Sequence, residues 1–422
     1  MLSWVFLALS LLGVALTLNA YRPPRAEVIS IVTFFCGWLV SELPIHTVVI
    51  EAAATVAFVA SGALHHPAGW VGLGLAIVSW AALVRLAIKA QQAGAVTEAA
   101  LDAGLGPAWR ELRDQRLSSA GAAVVDRAQL VVPFWMRDSR VERRRNIDYW
   151  GDGTRAHRLD VYRPRHPSGP APVLIYIHGG GWVLGDKREQ GLPMMLYLAS
   201  QGWVCVTINY RLSPKATWPD HLVDCKRALA WVHEHIAEYG GDSSFVAVSG
   251  GSAGGHLAAL VGLTAGEARY QPGFETGVTR VDACVPFYGV YDFTNRDGLW
   301  GKGFGAFLER SVMKAKRAEH PELFRDASPM DQVHDGVPPF MVTHGGNDTL
   351  VPVQEARRFS ALLRESSAGP VVYAELPGAQ HAFEVFRSVR TAHAVAAVTD
   401  FLAFVRAAAA RSGQAEEAAG AN

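Results

Sequence analysis

The front of the chain contains long stretches without any charged residue. No Asp, Glu, Lys or Arg occurs from Met1 to Tyr21, and none from Ala52 to Val84. A helix that crosses the hydrocarbon of a bilayer needs about 20 apolar residues. Four segments are candidates for such helices: Leu2–Ala20, Val28–Leu43, Ile45–Leu64 and Trp70–Ala87. The sequence therefore predicts a transmembrane helical region over residues 1–90.

The number of spans stays open between three and four. The middle two segments are interrupted by Glu42, Pro44, His46 and Glu51. A carboxylate inside a span is costly unless it faces protein or water. Two other interpretations carry less weight. A cleaved signal peptide would have a basic start and a small-residue cleavage site, and a buried helical domain of a soluble protein would keep a polar face for water.

Basic residues beside the apolar segments bear on orientation. They are Arg22, Arg25, Arg85 and Lys89. The positive-inside rule assigns such residues to the cytoplasm. This predicts a multi-pass membrane protein with the region from residue 146 onward in the cytoplasm, provided that the first segment does not fully cross.

The overall charge excludes one class of partner. Lys plus Arg and Asp plus Glu number 39 each, so no global field attracts a polyanion and we expect no binding of nucleic acid. The four cysteines lack metal-site spacing and lie among apolar residues, and they are Cys36, Cys205, Cys225 and Cys284. We expect free thiols and no metal site.

Residues 91–145 are rich in alanine and in charges at helical spacing, which predicts a helical linker. A basic cluster ends this segment, formed by Arg137, Arg140, Arg143, Arg144 and Arg145. One interpretation is contact with anionic lipid headgroups. The other is a solvated face, because Asp138 and Glu142 alternate with the arginines.

From about Ile147 onward, short β-branched runs alternate with helical stretches. The runs are Arg158–Tyr162, Pro172–Ile177, Val204–Asn209, Phe245–Ser249, Asp282–Tyr288, Phe340–Thr343 and Val371–Glu375. Apolar runs separated by helices predict an α/β domain with a mostly parallel, doubly wound sheet over residues 146–411. Functional residues are then expected at the carboxyl ends of the strands. We expect residues 412–422 to form a disordered tail.

One such strand end carries a serine between glycines. The run to Ser249 continues as Gly250-Gly251-Ser252-Ala253-Gly254, and a predicted helix follows. This is G-x-S-x-G in a strand–turn–helix setting, in which a sharp turn exposes the serine hydroxyl. The sequence therefore predicts Ser252 as a nucleophile.

A second strand end carries a glycine run. Ile177 is followed by His178-Gly179-Gly180-Gly181-Trp182, which matches a loop that stabilises an oxyanion with backbone N–H groups. We assign the donors to Gly180, Gly181 and Ala253. For Trp182 two interpretations remain, lining of an acyl pocket or packing beneath it.

A base and its orienting acid should follow the serine in chain order. Asp348 follows the run that ends at Thr343, and His381 follows the run that ends at Glu375. These positions predict the triad Ser252, Asp348 and His381. We expect His178 to be a structural loop residue and Asp242 to form a turn.

Six motifs together resemble a known family: HGGGW, NYRLSP, EYGGD, GGSAGG, HGGND and QHAFE. They are similar to the hormone-sensitive-lipase-like and prenylcysteine-methylesterase-like branch of the α/β-hydrolases. The resemblance extends from about Ile147 to Arg411. It implies an α/β-hydrolase fold, the Ser252–Asp348–His381 triad and the oxyanion hole named above. Gly251 departs from the family pattern, since many relatives carry Asp or another polar residue there.

The resemblance implies a serine carboxylesterase or lipase that forms an acyl-enzyme without a cofactor. Its expected substrate is a small-molecule or lipid ester, and membrane lipid is its expected partner. The segment Tyr291–Pro338 is long enough to form a cap over the site, and its aromatic residues fit either an acyl pocket or the core. Two other functions remain open, an amide hydrolase on the same triad and a non-catalytic hydrolase-like binding module.

Overall fold

The computed structural model describes residues 1–120 and 127–420, and within these residues eight strands form one sheet. In chain order they are β1 Val141–Asp148, β2 Arg158–Pro164, β3 Ala171–Ile177, β4 Val204–Ile208, β5 Gly241–Gly251, β6 Ala283–Phe287, β7 Phe340–Gly345 and β8 Val371–Leu376. The order across the sheet is β1-β2-β4-β3-β5-β6-β7-β8. Only the β1–β2 and β2–β4 pairs are antiparallel among these described strands. The predicted mostly parallel sheet is confirmed.

The sequence pattern did not predict β1, and its composition explains why. Three consecutive arginines, Arg143 to Arg145, occupy the middle of this strand, which lies at the edge of the sheet and is partly exposed. Central strands such as β3, in contrast, are buried at every position and read as apolar runs. At least three of the basic residues have partners within the protein, including Arg144, which lies 3.7 Å from Glu142. Arg140 pairs with Asp138, and Arg143 donates to the Tyr162 hydroxyl at 3.1 Å. These contacts favour a mixed-charge surface.

The helices before the sheet are α1 Leu2–Tyr21, α2 Glu27–Glu42, α3 Pro44–Ala60, α4 Pro67–Ala90, α5 Gln92–Leu105, α6 Trp109–Ala120 and α7 Arg127–Val131. Helices α1, α3 and α4 pack side by side, and α2 meets α3 at a bend of 93°. Large apolar side chains cover the outer surface of this bundle. Examples are Leu12, Leu18, Ile50, Val56 and Trp70.

The later helices are α8 Leu192–Ser200, α9 Asp220–His235, α10 Ala253–Leu263, α11 Lys302–Phe307, α12 Pro321–Asp326, α13 Val353–Ser366 and α14 Val389–Gly420. Helices α9, α10 and α13 bury their apolar residues against one face of the sheet. Helices α5, α8 and α14 cover the other face. We expected residues 412–420 to belong to a disordered tail, but they continue α14, and residues 421–422 lie outside the described part.

Helix α5 packs directly on β8. A Cβ atom on Gly104 would lie 2.6 Å from Cγ2 of Val372 and 2.8 Å from the carbonyl oxygen of Val371, so only glycine permits this approach. Trp109, at the start of α6, is also fully buried in the same core. Much of the segment 91–145, which we expected to be a linker, therefore forms a layer of the catalytic domain.

Three helical stretches in the described residues are long and apolar enough to cross a membrane, or four if the bent α2–α3 pair counts as one span. They are Leu2–Tyr21, Pro67–Leu105 and Val389–Ser412. The last one packs on the sheet, where Phe401 and Leu402 are completely buried. The candidates for lipid contact are therefore in the N-terminal bundle.

Candidate active site

Ser252 occupies a strained turn between β5 and α10. Its backbone angles are φ 59° and ψ −122°, a conformation that a residue with a side chain rarely adopts. A Cβ on Gly250 would lie 2.4 Å from the carbonyl oxygen of Gly254, and a Cβ on Gly254 would lie 2.0 Å from that of Ile177. The glycines on both sides of the serine are therefore required. The turn leaves Ser252 partly exposed.

The glycine loop after β3 lies against this turn. A Cβ on Gly179 would be 3.0 Å from the Cβ of Ser252. Gly180 and Gly181 have φ values of 112° and 58°, which favour glycine. Within the described part of the chain, the N–H groups of Gly180, Gly181 and Ala253 donate to no protein acceptor. Free N–H donors beside a serine hydroxyl suit an oxyanion.

The loop is held from beneath by the His178 ring. That imidazole stacks on Tyr210 with 4.5 Å between the ring centroids, and the Tyr210 hydroxyl donates to the His178 carbonyl at 3.0 Å. Burial lowers the pKa of His178 to about 4, so the ring is neutral near pH 7. His178 thus has the structural position that we expected.

Trp182 packs beneath the loop rather than lining a pocket. Its side chain is 1% exposed, and its indole N–H donates to Nδ1 of His256 at 3.2 Å. The indole also contacts Phe293 at 5.2 Å between centroids. The buried side chain therefore favours the second of the two interpretations given for Trp182, packing beneath the loop, over its tentative role in substrate binding.

Asp348 and His381 meet at the carboxyl ends of β7 and β8. His381 Nδ1 lies 2.7 Å from Oδ2 of Asp348, and the other carboxylate oxygen accepts from the N–H groups of Leu350 and Val351, both at 2.8 Å. Burial would raise the pKa of Asp348. The charge of His381 and the hydrogen bonds from His344 and His381 outweigh burial and hold this pKa below its usual range. The acid is therefore ionised and fixed toward the imidazole.

Tyr288 packs on the imidazole and is bonded to Glu384, and our sequence reasoning missed both. The Tyr288 ring lies 4.5 Å from that of His381, and its hydroxyl donates to the buried Glu384. Glu384 also accepts from the Tyr176 hydroxyl at 2.8 Å. The signal for Glu384 was present, since it ends the QHAFE motif. Tyr288 follows β6 with no motif of its own.

The aromatic residues of the cap segment divide between the two expected roles. Phe293 and Trp300 are buried in the core. Phe304 and Phe307 are only partly buried, and Cζ of Phe307 lies 3.6 Å from the position of a Cβ on Gly181. Phe307 is therefore the cap residue nearest to the glycine loop among these four.

The chain is similar to known esterases. The family model described as BD-FAE matches residues 159–363. The chain is 45% identical to the probable carboxylic ester hydrolase LipM of Mycobacterium tuberculosis, over 93% of this chain and 91% of the relative. It is 30% identical to the probable isoprenylcysteine alpha-carbonyl methylesterase ICMEL1 of Arabidopsis thaliana, over 53% of this chain and 48% of the relative. The crystal structure of esterase B from Lactobacillus rhamnosis matches with a TM-score of 0.54 at 24% identity, over 76% of this chain and 99% of that chain, which shows the fold.

Proposed function

Since the chain belongs to the carboxylic ester hydrolases of the α/β-hydrolase fold, we propose that it cleaves esters with Ser252 as nucleophile, His381 as base and Asp348 as orienting acid. The observation that carries this assignment is the 2.7 Å contact from Asp348 to the Nδ1 atom of His381. This contact fixes the tautomer in which Nδ1 carries the proton and Nε2 is free to accept one. The sharp turn at Ser252 provides the partly exposed hydroxyl.

In the proposed reaction, His381 takes the proton of Ser252 as its oxygen attacks the ester carbonyl. The developing oxyanion accepts hydrogen bonds from the N–H groups of Gly180, Gly181 and Ala253. His381 then gives the proton to the leaving alcohol, and an acyl-enzyme remains on Ser252. The same imidazole activates a water molecule that releases the acid.

A fluorophosphonate probe tests the nucleophile. Ser252→Ala is expected to abolish labelling and nearly all cleavage of a short ester such as p-nitrophenyl acetate. Ser249→Ala is the matched control, since Ser249 lies three residues earlier on β5 and is buried with its hydroxyl bonded to the Val285 carbonyl at 2.7 Å. Labelling that survives Ser252→Ala overturns the proposal. A parallel panel of short amides distinguishes an esterase from an amide hydrolase.

We further infer that α1, α3 and α4 cross the bilayer. Trp4 in α1 contacts His66 in the α3–α4 connection, with 5.5 Å between ring centroids, and Phe6 stacks on Phe58 of α3. At the opposite end of α1, the Tyr21 hydroxyl donates to the Ala82 carbonyl of α4 at 2.7 Å. The three helices thus run side by side, and α2 remains on the side of the catalytic domain.

In this proposed arrangement, the basic flanking residues lie on the side of the catalytic domain. Arg25 donates to the Gly346 carbonyl at 2.9 Å, and Lys89 lies where α4 leads into α5. By the positive-inside rule, a cytoplasmic catalytic domain follows. The earlier condition that the first segment does not cross is not needed, because α2 stays on this side. Retention in membranes after an alkaline carbonate wash, with a catalytic domain accessible to protease only from the cytoplasmic face, tests this topology.

A further inference from the structure

Helix α2 crosses the catalytic face and is attached to it at both ends. At its N-terminus, the Glu27 carboxylate accepts from the backbone N–H of Phe304 in the cap, at 2.8 Å. At its C-terminus, Glu42 forms a fully buried ion pair with Arg390 at 3.1 Å. A helix of 16 residues is about 24 Å long. The attachments therefore fix α2 from the cap to the start of α14.

The middle of α2 contacts the catalytic histidine. The Phe34 ring is edge-on to the His381 imidazole, with 6.1 Å between centroids, and is only 6% exposed. One turn later, the Trp38 indole N–H donates to the Ala382 carbonyl at 2.8 Å. The imidazole thus has Tyr288 of the catalytic domain and Phe34 of the N-terminal bundle as aromatic neighbours. The active site is built from both regions of the chain.

The opposite face of α2 is apolar and uncovered. Its exposed large side chains are Val28, Ile29, Ile31, Val32, Phe35 and Leu39. No charged residue occurs between Glu27 and Glu42. A helix face of this composition is suited to lipid rather than to water. The helix that walls the catalytic site therefore has a face suited to lipid on its other side.

The rim of the site continues this apolar surface. Leu184, in the loop after the oxyanion glycines, is 62% exposed. Phe134 and Trp135 are 64% and 58% exposed, and Phe134 contacts Phe386, which also contacts Trp38 of α2. An exposed apolar surface that is continuous with a lipid-facing helix marks a membrane contact. With α1, α3 and α4 across the bilayer as inferred above, the mouth of the site lies at the membrane surface.

We propose that the substrate is an ester with a long apolar chain that reaches Ser252 directly from the bilayer along α2, and that Phe34 is a specificity-determining residue for that chain. This inference rests on the proposed function above. Phe34 lies between lipid and the catalytic centre, and Phe304 and Phe307 provide further apolar surface on the cap side. An apolar substrate chain that enters along α2 exchanges contacts with the bilayer for contacts with protein, without passing through water.

The chain-length preference of single variants tests this role. The full-length protein is reconstituted in phosphatidylcholine vesicles, and kcat/KM is measured for p-nitrophenyl acetate and p-nitrophenyl palmitate. Phe34→Ala is expected to lower the palmitate-to-acetate ratio at least roughly tenfold, the effect of losing contacts to a few methylene groups. Phe35→Ala is the matched control, because Phe35 is the next residue but is 65% exposed on the outer face. It is expected to keep the wild-type ratio.

Two results overturn the inference. If Phe34→Ala lowers both rates equally, Phe34 only supports the imidazole, and if it changes neither rate, α2 does not contact the chain. Failure of the proposed function gives a different result, namely acetate cleavage that persists in Ser252→Ala.

The lipid contact itself is tested at Cys36. All four cysteines lie in the described part of the chain, and Cys36 is the exposed one. A nitroxide on Cys36 is expected to collide with oxygen more than with a water-soluble nickel complex, and the reverse order overturns the bilayer route.

Discussion

The hydroxyl of Tyr288 fills the space beside Gly251 that a side chain at this position would need. A Cβ on Gly251 would lie 2.7 Å from that hydroxyl and 3.1 Å from two ring carbons. Tyr288 is fully buried and bonded to Glu384, so it cannot easily move aside. The tyrosine that packs on His381 thus explains why position 251 holds a glycine.

This packing predicts coupling between the two positions. Gly251→Ala is expected to lower the free energy of unfolding by about 1–3 kcal/mol, the usual cost of overpacking a buried site. Tyr288→Phe removes the hydroxyl, which is the atom closest to the added Cβ. In that background, Gly251→Ala is therefore expected to lower the free energy of unfolding by less. A double-mutant cycle in denaturant measures the difference. Strictly additive effects would show that the hydroxyl does not limit residue 251.

The environment of Asp348 predicts a large effect of a small change. Asp348→Asn keeps the shape of the side chain. In one orientation its NH₂ group faces the N–H donors of Leu350 and Val351. In the other orientation it faces Nδ1 of His381 and favours the wrong tautomer of the imidazole. We expect kcat for a short ester to fall by roughly 10³–10⁴-fold with the fold retained. Asp242→Asn is the control, since Asp242 is partly exposed near the start of β5, where it accepts from the Ser244 N–H at 2.9 Å. Similar kcat values for the two variants would contradict the role of Asp348.

Three buried histidines predict how stability depends on pH. Burial lowers the pKa of His178 and His221 to about 4 and that of His256 to about 3. In the unfolded chain the pKa of each of these groups is about 6.5. Between about pH 6.5 and 4 the unfolded state therefore binds more protons than the folded state. Stability is therefore lost as the pH falls through this window, by up to about 1.4 kcal/mol per pH unit for each histidine.

Urea unfolding at several pH values between about 4.5 and 7.5 measures this dependence. In His256→Gln, the slope of the unfolding free energy against pH is expected to fall by the equivalent of about one bound proton. His256 Nδ1 accepts from the Trp182 indole, and its Nε2 lies 2.7 Å from the Ala327 carbonyl, which requires the neutral ring. A slope that the substitution does not change would show that His256 is not one of the titrating groups.

The catalytic elements were predictable because local chemistry determines them. Strands such as β3 are apolar at every position, and the sharp turn at Ser252 requires glycines that are visible in the sequence. The attachment of α2 was not predictable, since its contacts join residues far apart in the chain and leave no periodic signal. Glu42 gave only an indirect signal, a carboxylate inside an apolar segment that had to face protein or water. Its partner, Arg390, is 348 residues away.

The Glu42–Arg390 pair predicts a difference between single and double replacement. Both side chains are almost completely buried, and Glu42 also accepts from the Ser388 hydroxyl at 3.1 Å. Glu42→Leu leaves the guanidinium buried without its counter-ion, which is expected to cost about 3–5 kcal/mol.

The double variant Glu42→Leu with Arg390→Met replaces the pair by apolar side chains and is expected to recover most of that loss, because neither charge is then buried. Unfolding in detergent measures the stability of all three proteins. Stability could recover without recovery of the palmitate-to-acetate ratio. That result would mean that the ion pair sets the position of α2 over His381 in addition to holding α2 on the catalytic domain. A double variant as unstable as Glu42→Leu alone would contradict the buried-charge explanation and would point instead to lost packing at the end of α2.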